Sequence, residues 1–244
     1  MKRRWVAALA AVSIAGVAAV GFSLESRQES PAPRPLAERP TLALLTSLPL
    51  VFGESFGLES GGSAALTRLE QRYNVLPIGI ADAASLEGQK LLLMAHPRAQ
   101  PAEVLVELDR WVRQGGRLLL LADPRLDWPS ERPLGDRLRP PPAFADTGLL
   151  LHWGLRLSAP EPDGLASVGN GELTILAASP GKFSGRGCAI EGRGFVARCR
   201  IGRGRATVIA DADFLNIAGE GAIDGPTDHN LDLLIAELAR LETR

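Results

Sequence analysis

The chain has 244 residues, 45% of them hydrophobic and 23% charged, which suits an ordinary globular core and excludes a disordered chain. A formal net charge of -1 gives no electrostatic pull towards nucleic acid, so no nucleic-acid partner is expected. Two Cys and three His exclude a four-thiolate zinc site, their spacing is unlike that of a zinc finger, and neither a resident metal nor a cofactor is expected.

Met1, Lys2, Arg3 and Arg4 precede an uncharged apolar run from Trp5 to Leu24. As a helix this run would span about 30 Å, the thickness of a bilayer's hydrocarbon core. The basic residues before it orient the N-terminus to the cytoplasm. Residues 1–24 are therefore expected to be a signal anchor or signal peptide. The expected location is the inner membrane, single pass, with the body in the periplasm. Residues 25–40 carry Pro31, Pro33, Pro35 and Pro40 among charged residues and read as an extended linker.

The body is expected over 41–244. TLALLTSL (41–48) reads as a buried strand ending at Pro49. A helix follows with Ser63 at or near its N-cap and Leu66, Leu69 and Tyr73 on one face, and NVLPIGI is a strand in which Pro77 argues for a sheet edge or an early end. QKLLLMAHP, PAEVLVELDRWVRQGG and RLLLLADP form a strand, an amphipathic helix and a second all-apolar strand. That is a βαβ unit of a parallel sheet covered on both faces. Five prolines in residues 125–145 mark an insertion loop. A short helix and strand are expected in AFADTGLLLHWGLRL, then a β-rich stretch of ELTILAAS, CAIE, FVARCR and RATVIAD. The chain closes with a helix striped by Leu231, Leu234, Ile235, Leu238 and Leu241.

The segment LLLMAHPRAQPAEVLVELDRWVRQGGRLLLLADP resembles the glutamine-amidotransferase-like domain of the uncharacterised ABC-transporter-associated and gliding-motility auxiliary family, and of related bacterial membrane proteins of unknown function. RATVIADADFLN, HNLDLLIAEL and LLLHWGLRL are similar to further segments of those proteins. The resemblance implies an α/β fold, a flavodoxin-like or class I glutamine-amidotransferase-like sheet with helices on both faces and a β-rich C-terminal portion. It also implies protein partners in a membrane complex. The Gly-x-Cys-x-Gly elbow of true amidotransferases is missing, since Cys188 and Cys199 both fall in expected strands.

In a sheet of this kind ligands sit at the carboxyl ends of strands, which here carry Ser47, His96, Asp123, Asp211 and Asp213. A His with several carboxylates can bind a divalent cation or act as a general base, but His-Pro and Asp-Pro pairs also cap turns. Capping is taken as the simpler account, and no catalytic residue is assigned. His152 reads as a core or boundary residue and His229 as a helix-start residue. The arginines between Lys182 and Arg205 read as a solvated hairpin face. A turn through Gly192, Arg193 and Gly194 sets Cys188 opposite Cys199 when Glu191 faces Val196, which predicts a disulfide. The expected function is a membrane-anchored, extracytoplasmic accessory or binding domain of an envelope or transporter assembly, non-enzymatic. The alternative is a hydrolase or metal-dependent enzyme using His96, Asp123 and Asp213.

Overall fold

The computed structural model describes residues 31–53, 62–160, 164–219 and 221–243. Its centre is a seven-stranded sheet in the order β2-β1-β3-β4-β11-β10-β9. The strands are β1 (Thr41–Thr46), β2 (Asn74–Pro77), β3 (Leu91–Ala95), β4 (Arg117–Leu121), β9 (Cys188–Glu191), β10 (Val196–Ile201) and β11 (Gly204–Ile209). The first four and β11 run parallel, whereas β10 is antiparallel to both of its neighbours. Two antiparallel pairs lie outside this sheet: β5 (Leu155–Ser158) with β8 (Lys182–Gly185), and β6 (Ala166–Gly169) with β7 (Thr174–Ala177).

The inner parallel strands, β1, β3, β4 and β11, follow the apolar runs of the sequence. Every residue of β3 is buried, as are Leu118 to Leu121 of β4 and Ala206 to Ile209 of β11. A strand buried on both faces needs apolar side chains at every position, so an unbroken run identifies it where alternation would not. β2 pairs only with β1, and Pro77, which cannot donate a ladder hydrogen bond, sits at its end.

Helices α1 (Ala64–Glu70), α2 (Ala102–Arg113), α3 (Leu149–His152) and α4 (Asn230–Thr243) cover both faces. Ser63 caps α1 by accepting from the Leu66 N–H at 3.1 Å. On one face, Arg68 of α1 pairs with Asp232 of α4 at 3.0 Å. On the other, the Trp153 indole N–H after α3 donates to Asp109 of α2 at 2.8 Å, so His152 lies at an exposed boundary rather than in the core. The α2 face of the sheet is so tight that a Cβ on Gly204 would overlap the carbonyl oxygens of Val112 and Gly116.

The β9–β10 register pairs Glu191 with Val196 and Cys188 with Cys199, and the two cysteines form a disulfide across a Cα separation of 4.3 Å. The arginines of this region do not all face solvent, which corrects that expectation. Arg198 bonds to both Glu191 and the fully buried Glu237 of α4, and Glu237 also accepts from the Asn170 side-chain amide at 2.6 Å. The strands β6 and β8 were not anticipated, because ASVG and KFSG are short and rich in glycine and serine.

The assignment of residues 1–24 to a membrane span lies outside the described residues. Among the described residues no helix is long and apolar enough to cross a membrane.

Candidate metal centre

Strands β4 and β11 run side by side with Leu121 opposite Ile209, and the ladder continues through the Ala122 N–H donating to the Ile209 carbonyl at 2.8 Å. Two residues further along each strand stand Asp123 and Asp211, which therefore leave the sheet as neighbours. A short 3-10 turn, Asp213–Leu215, then folds Asp213 back onto the same spot. Asp123, Asp211 and Asp213 each offer a carboxylate oxygen within 4.8 Å of the others, and all three side chains are buried.

Their hydrogen bonds are uneven. Asp123 accepts from three backbone N–H groups, those of Arg125 at 2.8 Å, Ala212 at 2.9 Å and Asp213 at 3.4 Å. Asp211 accepts from the Phe214 N–H through Oδ1 at 2.9 Å, while its Oδ2 is buried without a partner. Asp213 accepts from the Asp127 N–H at 2.9 Å through Oδ2, with the Ser179 hydroxyl, which donates to the Arg125 carbonyl, 3.4 Å away, while its Oδ1 meets no donor. A buried oxygen without a donor loses its hydration and gains nothing in exchange, at a cost of about 1–3 kcal/mol or more for a charged group.

Burial and mutual repulsion oppose ionisation. Burial pushes Asp123 above the ordinary carboxylate range even against its three N–H donors. Asp211 is held well above that range by burial, then by the charges of Asp123 and Asp213. Asp213 is pushed up to about 8 by burial and by Asp123. Three carboxylates this close cannot all be charged unless a cation joins them; otherwise they share protons.

His96 stands one residue beyond β3, where its N–H donates to the Leu121 carbonyl at 3.0 Å. Its backbone φ is 46°, a left-handed conformation uncommon outside glycine. The ring is buried, and Nε2 lies 2.8 Å from the Pro141 carbonyl. A carbonyl can only accept, so Nε2 carries the proton and the unpartnered Nδ1 bears a free lone pair. Burial lowers the pKa of the ring, against the raising effects of the Pro141 bond and the Asp123 charge. The imidazole is accordingly neutral.

Of the five residues expected on the strand-end rim, the structure brings Asp123, Asp211 and Asp213 together and leaves His96 as an electrostatic neighbour outside the ligating set. Ser47 is turned away: its hydroxyl donates to the His96 carbonyl at 2.5 Å. Sequence reasoning missed the Asp127 N–H, which holds Asp213, and Ser179, whose hydroxyl beside Asp213 donates to the Arg125 carbonyl. No motif marks either residue, because each reaches the site only through the folding of a loop.

No family model and no curated protein sequence matches the chain. Solved structures do. The mmIFT52 N-terminal domain is similar at a TM-score of 0.55 and 15% identity, over 84% of this chain and 98% of that one. The Salmonella typhimurium LT2 protein STM1381, described as a cytoplasmic protein, matches at a TM-score of 0.52 and 10% identity, over 82% of this chain and 99% of that one. An exo-β-1,4-mannosidase from Opitutaceae bacterium strain TAV5 matches at a TM-score of 0.44 and 16% identity, over 72% of this chain. The chain spans about a third of the mannosidase's length, 32%.

Two expectations are corrected. Asp123 and Asp211 do accept from backbone N–H groups as caps, but the expectation of a non-enzymatic accessory domain does not fit three convergent buried carboxylates of which two keep an oxygen without a donor. The membrane-anchored, periplasmic placement is set aside as well. It rested on the apolar run and on the resemblance to membrane proteins. Among the described residues no helix is long and apolar enough to cross a membrane, and a fold of this kind also occurs in a protein described as cytoplasmic.

Proposed function

We propose that the chain is a metal-dependent enzyme of the hydrolytic class, with Asp123, Asp211 and Asp213 as the cation ligands. The observation that carries this reading is the pair of unpartnered, fully buried oxygens, Asp211 Oδ2 and Asp213 Oδ1, inside a triad whose members otherwise repel one another. The donors are hard carboxylate oxygens without thiolate or imidazole in the set, which suits Mg²⁺, Mn²⁺ or Ca²⁺ better than zinc. A divalent cation held there supplies Lewis acidity and a water of lowered pKa.

The chain's own residues have separable parts in this scheme. Asp123 is fixed by three backbone donors, so it enters ligation already oriented. Neutral His96 can take a proton at Nδ1, its Nε2–H being held by Pro141. The proline-rich segment 125–145 closes over the carboxylates through the Asp127 N–H on Asp213 and the Phe144 N–H on the Asp123 carbonyl, and so excludes bulk water. The strand order β2-β1-β3-β4-β11 supports a flavodoxin-like sheet, in which strand-end sites are the rule.

The test is a panel of chromogenic esters, phosphomonoesters, phosphodiesters and glycosides, assayed with each cation and with chelator. Hydrolysis that needs the cation and disappears in Asp211→Asn is the expected result. Cation binding without turnover of any class would show the centre to be structural and the enzyme reading wrong.

A further inference from the structure

A second site lies on the same edge of the sheet, away from the carboxylates. In the order β2-β1-β3, the chain passes from β1 to one side and returns on the other, and at such a reversal the flanking connections diverge and leave a crevice at the carboxyl ends. Here the crevice is a pocket of about 460 Å³. Its floor is apolar, with Leu44, Leu48, Val51 and Ile78 from the ends of β1 and β2. Its rim carries Arg98, just beyond β3, together with Arg132 and Arg137 from the proline-rich segment. None of the described residues lining it is acidic.

The three guanidinium groups are differently engaged. Arg132 pairs with Asp136 at 4.0 Å. Arg98 donates to the Arg139 carbonyl, which ties the loop after β3 to the proline-rich segment without neutralising the charge. Arg137 is exposed and has no acidic partner among the described residues. At the mouth Phe52 and Leu138 are 80% and 60% exposed, apolar surface that a folded chain ordinarily buries. Two other hollows are larger, at about 1020 and 650 Å³. The first lies at the amino ends of β3 and β4 and mixes acidic with basic residues, and the second lies among the small outer strands. Neither combines an apolar floor with charge of one sign.

We infer that this pocket binds a small amphiphilic anion, its phosphate or carboxylate head between Arg98 and Arg137 and its apolar body against Leu48, Val51 and Ile78. The inference is independent of the cation centre. Arginine's planar donor fork pairs with phosphate or carboxylate oxygens two at a time, and an apolar floor of this size accommodates a chain or ring of drug-like dimensions. The ligand is taken singly from solution, since the binding surface is a recessed pocket.

Calorimetric titration of the whole chain with decyl phosphate, below its micelle concentration, tests this. Decanol supplies the body alone, inorganic phosphate the head alone, and phosphatidic acid vesicles the head in a bilayer. Saturable one-to-one binding is expected for decyl phosphate, with each partial probe at least about tenfold weaker. The double variant Arg98→Glu/Arg137→Glu should bind at least about tenfold more weakly while still unfolding cooperatively within about 5 °C of wild type, whereas Arg156→Glu at an exposed position of β5 should bind normally. Binding unaffected by the double charge reversal, or vesicle capture without binding of decyl phosphate, would overturn the inference.

Discussion

Replacing Asp213 by Asn isolates the electrostatic cost built into the carboxylate triad. In the metal-free protein the Asp213 carboxyl titrates at about 8, against 3.8 for an ordinary Asp. Between those values the native state keeps a proton that the unfolded chain has released, so stability is fully present below about pH 4 and is lost as pH rises towards 8. The loss is about 1.4 kcal/mol per pH unit for one group, on the order of 5 kcal/mol across the window. Asn cannot ionise, its carbonyl can still accept from the Asp127 N–H, and its amide can donate to the neighbouring carboxylates. The variant should therefore match the wild type near pH 4 and exceed it at pH 8. For a chain of this length the difference corresponds to roughly 10 °C in melting temperature. Thermal melts in chelator from pH 4 to 8.5 measure it. An unchanged pH slope, or a variant less stable than wild type at pH 8, would refute the electrostatic argument.

Three other outcomes follow from the packing. Glu237→Ala leaves the buried Asn170 amide without its acceptor and takes one of two carboxylate partners from half-buried Arg198, and should cost about 1–3 kcal/mol by chemical denaturation, with Glu237→Gln losing less. Reducing the Cys188–Cys199 disulfide, or replacing both cysteines by Ala, should lower stability by no more than about 3 kcal/mol, because the closed loop is short. Gly204→Ala must push a methyl group into the Val112 and Gly116 carbonyls, and should lower the melting temperature by several degrees where the same change at exposed Gly79 does not.

How much of this was legible in the sequence depends on whether local pattern or long-range convergence decides each feature. Unbroken apolar runs marked β1, β3, β4 and β11, and glycines bracketing Arg193 set the hairpin register that brings Cys188 to Cys199. Asp123, Asp211 and Asp213 were legible as strand-end residues. Their unpartnered oxygens were not, because those depend on which backbone N–H groups a loop presents. The inward pairing of Arg198 was hidden for a related reason: its partner Glu237 lies 39 positions away on a helix whose apolar stripe gives no sign of an inward carboxylate. The arginine-rimmed pocket was missed because its wall is the proline-rich insertion, which composition marks as loop without saying where it folds back.

The claim on which the account rests is that the triad holds a cation, and titration of chelator-treated protein with Mn²⁺, followed by the loss of free-ion paramagnetic resonance signal, measures that directly. One ion per chain should bind and be displaced by Mg²⁺. At a hundredfold excess over its dissociation constant it should stabilise the fold by about 2.7 kcal/mol. Asp211→Asn combined with Asp213→Asn should abolish binding while leaving the chain folded. No binding at millimolar Mn²⁺, or binding that survives the double substitution, would contradict it.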